Sequence, residues 1–410
     1  MSTARNVVST REPAQEGNRA VNACRKVVGL VPAPEMPAEM AEQVIDELPE
    51  LLANYVDDRL NWEVQLIVDP LIGAAEASTD IIGSILEYKR DQQWDYAICI
   101  TDLPIFKDGR FVIAETSTVH GVAMISLPAF GITAIRRRLN EAILQLVNEL
   151  HHGSSEEDRA RQEQRTQQSD KVHRSLRGKG ARQLLGRHLY EKLFPIRRIT
   201  LPGEGESFDV RFIADSKLNG NLRILAGMVR ANRPWTIFPA FKRVIAVAFA
   251  TGAYGLVFPT LWQLSANYGR PRLILLMGVA MVAMIAWIII AHTLWESMKN
   301  ARSPRLVRLY NTVTVLTLSA GVVFYYVVLL GLFCFTVLVF IPANMLEAQL
   351  DHAVSLFDYT TLAWLVTSVA TIAGALGAGL EDEETVRNAT YGYRQRRRNQ
   401  EANKRVGRQT

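Results

Sequence analysis

Three strand-like apolar runs in this chain end in side chains able to move protons or hold a cation. Val68 leads into Asp69-Pro70, Ile100 into Thr101-Asp102-Leu103-Pro104, and Ala114 into Glu115-Thr116-Ser117-Thr118, with His120 just beyond. Carboxylates near an imidazole can bind a cation or carry out general acid–base steps. In open α/β sheets, ligands gather beyond the carboxyl ends of parallel strands. Asp69, Thr101, Asp102, Glu115, Ser117 and His120 are therefore the candidate ligand-binding residues. The competing reading is that Asp-Pro and Asp-x-Pro simply make turns, through an Asx hydrogen bond and proline's restricted φ, and turn-making is the commoner use of such pairs.

Motifs that would assign a reaction are missing. The chain has no Gly-x-Gly-x-x-Gly, no Walker loop, no His-Glu-x-x-His and no Gly-x-Ser-x-Gly. On this ground no catalytic residue is assigned, and no cofactor or metal is expected. Cys24, Cys99 and Cys334 show neither metal-ligand spacing nor a disulfide set, which suits a reducing compartment. His151-His152 reads as a solvated helix end, and His292 as an imidazole deep in an apolar run but close to Trp295.

The elements that would position the candidates form an α/β pattern over 26–152. Strands are expected at 26–31, 62–68, 96–101, 110–115 and 122–127, and helices at 38–54, 79–90 and 132–150. The fold class expected is an α/β soluble domain with a mixed sheet of about five strands, followed by an α-helical transmembrane domain of four spans. Residues 1–25 read as a disordered tail without a signal peptide, and 153–197 as a charged linker. Residues 198–232 read as a small separate αβ module with strands at 198–201 and 208–213 and a helix at 216–230.

Four apolar runs follow, at 244–264, 273–295, 313–341 and 359–380. Each is near the ~20 residues that a helix needs to cross a bilayer, and the third reads as one long tilted span. Arg230, Arg233, Lys242 and Arg243 precede the first run, Lys299, Arg302, Arg305 and Arg308 follow the second, and residues 381–410 form a basic tail. The other two connections hold only Arg270 and Arg272, or Glu347 and Asp351. The positive-inside rule then places both termini and the α/β domain in the cytoplasm of a plasma-membrane protein. Trp235, Trp262 and Trp295 fit interfacial anchors. The net charge of +5 is concentrated beside the membrane, so anionic lipid is the expected partner rather than nucleic acid, with a protein partner or a homo-oligomer also in view.

Several stretches carry a resemblance: Ile100-Thr101-Asp102-Leu103-Pro104, residues 122–131, Arg136-Arg137-Arg138, residues 308–316, and 374–381 with 389–394. Over nearly the whole chain after residue 25 they resemble a family of uncharacterised actinobacterial membrane proteins with a soluble N-terminal domain and four C-terminal spans. Some members are labelled 5,10-methylenetetrahydrofolate dehydrogenase, which would imply folate-linked oxidoreduction. The Gly-rich nucleotide loop and the catalytic-lysine motif of such an enzyme are absent here. The reading favoured by the residues is a non-enzymatic membrane protein whose α/β domain binds a ligand or partner. The rivals are a membrane-tethered enzyme working from Asp102, Glu115 and His120, and a small transporter.

Overall fold

The structure is a computed structural model that describes residues 5–8, 24–73, 78–107, 109–132, 134–153, 196–200, 208–214, 217–233, 241–296, 304–350 and 352–378. Two compact units divide between Ala231 and Asn232. The expected linker, basic tail and interfacial approach with Trp235 lie outside the described residues.

The first unit is built on a single mixed sheet. Its strands are β1 (Arg5–Val8), β2 (Arg25–Pro32), β3 (Asn61–Leu66), β4 (Tyr96–Thr101), β5 (Ile105–Lys107), β6 (Arg110–Ser117), β7 (Val122–Ser126), β8 (Ile196–Thr200) and β9 (Val210–Ala214). Eight of them run in the order β1-β3-β2-β4-β7-β6-β9-β8, and short β5 pairs with β6. β3, β2, β4 and β7 are parallel, whereas β1 lies antiparallel on one side and β6, β9 and β8 on the other. The central strands β4 and β7 are apolar on both faces because both faces are covered. Ala97 and Cys99 of β4 join the cluster under α3 (Ser78–Asp91), and Ile98 and Ile100 alternate to the opposite face.

The expectation of about five strands is corrected to eight in one continuous sheet plus the β5 arm. The difference arises chiefly where β9 pairs with β6, Glu115 opposite Arg211, so that 198–232 extends the main sheet instead of forming its own module. Residues Arg5–Val8 pair with β3, although 1–25 reads as disordered in sequence. The single helix expected at 38–54 is two, α1 (Met36–Val44) and α2 (Leu48–Tyr55). Pro49 explains the break: it has no N–H, and its ring would meet the carbonyl four residues earlier. α4 (Ile135–His152) packs with α1 and α2, and α5 (Lys217–Ala231) packs on β6 and on the 3-10 turn Leu127–Phe130. Gly227 permits that approach, since a Cβ there would overlap the Pro128 carbonyl.

The second unit is helical: α6 (Phe241–Gly255), α7 (Pro259–Asn267), α8 (Arg270–Ala291), α9 (Pro304–Phe340), α10 (Ala343–Leu350) and α11 (Leu356–Ala378). α8, α9 and α11 are long and apolar enough to cross a membrane. The run expected to be one span at 244–264 is instead α6 and α7, bent by 92°. Here Pro259 opens α7, and the residue before a proline is pushed out of the helical region; Phe258 has φ −92° and ψ 117°. α9, with 37 residues, extends well before the expected 313–341. Gly374 and Gly252 let helices meet closely, for a Cβ at either would crowd Ala248 with Tyr325, or Phe333 with Ala370.

Candidate functional site

The register of the sheet sorts the candidate residues into three places. Thr101 lies opposite Ser126, whereas Ser117 lies opposite Val122, which in turn faces Ala97. Asp69, Thr101 and Asp102 therefore sit at the carboxyl end of the parallel strands. Ser117 and His120 belong to the opposite end, about 13 Å away along the strands. The cause is direction: β6 runs antiparallel to β7, so its carboxyl end points the other way. Glu115 is at neither edge. It is fully buried mid-sheet and forms an ion pair with its cross-strand partner Arg211. A shared site of Asp102, Glu115 and His120 is thus not formed.

At the carboxyl edge the polar groups shape the turns. The Thr101 hydroxyl accepts a hydrogen bond from the Leu103 amide at 3.1 Å, and the Ser126 hydroxyl donates to the Leu103 carbonyl at 2.7 Å. A side-chain-to-backbone turn of the expected kind is present, and Thr101 makes it. The Asp69 amide donates to the Pro32 carbonyl at 3.1 Å, and Asp69 and Asp102 are both buried. At the other end Ser117 Oγ lies 3.0 Å from His120 Nδ1 within a turn closed by Gly121, whose φ of 64° suits glycine. Thr118 there donates its amide to Asp209 at 2.6 Å.

The amino end of the parallel strands holds a constellation that the sequence does not announce. His151, in the last turn of α4, places Nδ1 3.0 Å from Tyr96 Oη and Nε2 3.6 Å from Asp57 Oδ2. Tyr96 opens β4, and Asp57 lies in the loop between α2 and β3. Arg59 grips the Asp57 carboxylate with Nε at 3.0 Å and Nη2 at 2.8 Å, and Trp62 Nε1 donates to the Asp57 carbonyl at 2.9 Å. The rings of Trp62 and Tyr96 meet the His151 ring edge-on, with centroids at 5.6 and 6.1 Å. His152 Nε2 lies 3.2 Å from the Val56 carbonyl, and Lys26 pairs with Asp95 at 2.6 Å beside Tyr96.

The electrostatics follow from this packing. Hydrogen bonds from Arg59 hold the Asp57 carboxyl down at about 2, against the opposing effect of burial. Burial lowers the pKa of His151, although the Asp57 charge pulls it up, and burial raises that of Tyr96. The hydrogen bond to Asp95 raises that of Lys26. A neutral imidazole whose Nδ1 accepts the phenol's hydrogen bond turns its Nε2–H toward the carboxylate, at 3.6 Å a contact longer than a hydrogen bond. This row could pass a proton between a phenol and an imidazole; the reading of His151-His152 as a solvated end is corrected. One sequence signal could have found it: His151 continues the Ile143–Val147 spacing of i+4, the buried stripe of α4.

In the helical unit, polar groups line the seams. Tyr326 Oη lies 2.8 Å from Ser368 Oγ, and Asn232 Nδ2 donates to Thr317 Oγ1 at 3.0 Å. Thr367 and Thr371 return their hydroxyls to their own helix, to Ala363 and Thr367 at 2.7 Å. His292 is buried at the end of α8, not midway along it. Trp262 is buried too, its Nε1 donating to the Leu256 carbonyl at 3.0 Å, so it pins the α6–α7 bend. Among the described residues no group of three metal-ligating side chains is found. Compared with protein-family profiles, curated proteins and solved structures, the chain matches none.

Proposed function

We propose that the chain is a multi-pass plasma-membrane protein whose cytoplasmic α/β domain binds a ligand or protein partner, with the helical unit as its anchor. The observation that supports this most is the surface of α8 and α9. Ile274, Leu275, Val279, Val282 and Ile290 of α8 are more than half exposed, as are Val327, Phe335, Leu338, Val339 and Phe340 of α9. A helix apolar on all sides belongs in lipid or in a large core, and these residues face no core in their own unit. Binding is favoured over catalysis because the candidate residues are dispersed over both ends and the middle of the sheet, with Thr101, Ser117 and His120 engaged in turns and Glu115 in a buried ion pair. A membrane preparation washed at high pH tests the anchor: the protein is expected in the pellet, and its release into the wash overturns the reading.

A membrane-tethered enzyme is the second reading, favoured by the Asp57–His151–Tyr96 row. Folate-linked oxidoreduction, implied by the family resemblance, is the version to test. The solubilised protein is heated with NADP and with a folate; a rise in unfolding temperature that His151→Gln abolishes would favour the enzyme.

A further inference from the structure

We propose that α7 lies at the outer boundary between headgroups and acyl chains as an interfacial helix, so that α6 alone is the first span and α7 with Arg270 and Arg272 forms a seat for lipid phosphates. This rests on the membrane reading above. The heights of the helices supply the first argument. α6 climbs alongside α9 in the same direction: Phe241 faces Gly321 and lies 5.7 Å from the Tyr325 ring, and Phe249 lies 5.2 Å from the Phe333 ring. Counting back about 20 residues from the end of α9 at Phe340 reaches Gly321, a rise of about 30 Å, the thickness of the hydrocarbon layer. The same layer runs from Asp358 to Ala378 on α11 and from Arg270 to Ala291 on α8. The 15 residues of α6 start level with Gly321 and rise only about 22 Å. They stop about 8 Å below the outer boundary, within the ~5–10 Å depth at which interfacial helices lie.

The faces of α7 agree with that depth. Leu261, Trp262 and Ser265 turn toward the bundle, and Trp262 and Ser265 are buried. Thr260, Gln263 and Asn267 share a second sector at i, i+3 and i+7, and Gln263 donates to Gln349 of α10 at 3.2 Å. Leu264, with Val257 and Phe258 just before the helix, is apolar and exposed at 41%, 71% and 46%. Such a helix meets protein, water and acyl chain on three sides. Arg270 lies over the Phe357 ring at 5.2 Å and Arg272 over the Tyr268 ring at 4.4 Å. Two guanidinium groups on aromatic rings at the boundary match the charge of lipid phosphates. The bend therefore makes one short span and a surface helix, rather than a loop that dips in and returns to the cytoplasm.

The test labels single cysteines with a membrane-impermeant maleimide, in the full chain with Cys24 and Cys334 changed to alanine. Gln263→Cys and Asn267→Cys are expected to label in intact cells, with no gain on permeabilisation, and Tyr254→Cys on α6 to resist in both conditions. Labelling of both α7 positions only after permeabilisation, or of neither in any condition, overturns the proposal. Ala348→Cys and Arg305→Cys report the membrane reading separately. If Ala348→Cys labels from outside and Arg305→Cys only from inside, a failure at α7 falls on this inference alone; if those two are reversed, the reading beneath it fails.

Discussion

His151 illustrates how little a local pattern reveals of a side chain's work. Burial places its folded-state pKa below the ordinary value near 6.5, so the fold favours the neutral ring. Its contribution to stability is whole above about pH 6.5 and is lost as pH falls through the folded-state value. Asp57, held down at about 2, contributes fully above about pH 4 and loses that contribution only toward pH 2. The thermal stability of the α/β unit is therefore expected to decline as pH falls from about 7 to 5, with His151→Gln flattening that decline. An equal decline in the variant would remove His151 as its cause. A second residue-scale expectation concerns Glu115. Removing it as Glu115→Ala leaves Arg211 charged and buried, at a cost of about 3–5 kcal/mol, whereas replacing both partners with apolar residues costs far less. Denaturant titration of the single and double variants beside the unaltered protein measures the difference.

Among the elements, those with strong local signals were legible. β4 spans Tyr96–Thr101 as its apolar run predicts, and α3 and α4 lie within a few residues of their expected places. Long-range pairing was not legible: Arg211 and Glu115 are register partners far apart in the chain, and no spacing rule announces that β9 joins β6. The site followed the same division. The polar strand ends were visible as residues, but the antiparallel turn of β6 that separates Ser117 from Asp102 was not. Two turns were underweighted, at Pro49 and Pro259, where a proline inside an apolar run redirects the helix. The joined sheet also changes what folds alone. A fragment spanning 1–231 is expected to unfold cooperatively, whereas 1–152 leaves the β6 edge bare and is expected to aggregate. Equal, cooperative unfolding of both fragments would contradict the role given to β8 and β9. Gly29 gives a sharper test within the sheet, because its Cβ would enter the Trp94 ring. Gly29→Ala is expected to cost about 1–3 kcal/mol in the same titration.

For the whole molecule, the account joins an α/β unit to a helical unit through a short boundary at Ala231 and Asn232. The topology proposed from the charge pattern puts the α/β unit and the connection between α8 and α9 on one side of the membrane. It places α10, with Glu347, on the other side. That arrangement needs α6, α8, α9 and α11 to cross in alternation, with α6 as the short first span proposed above. The most direct measurement is a pair of fusions to a reporter enzyme active only outside the cytoplasm, one joined after Ala348 and one after Asn300. Activity is expected at Ala348 and none at Asn300; activity at Asn300 with silence at Ala348 would contradict the orientation on which the account depends.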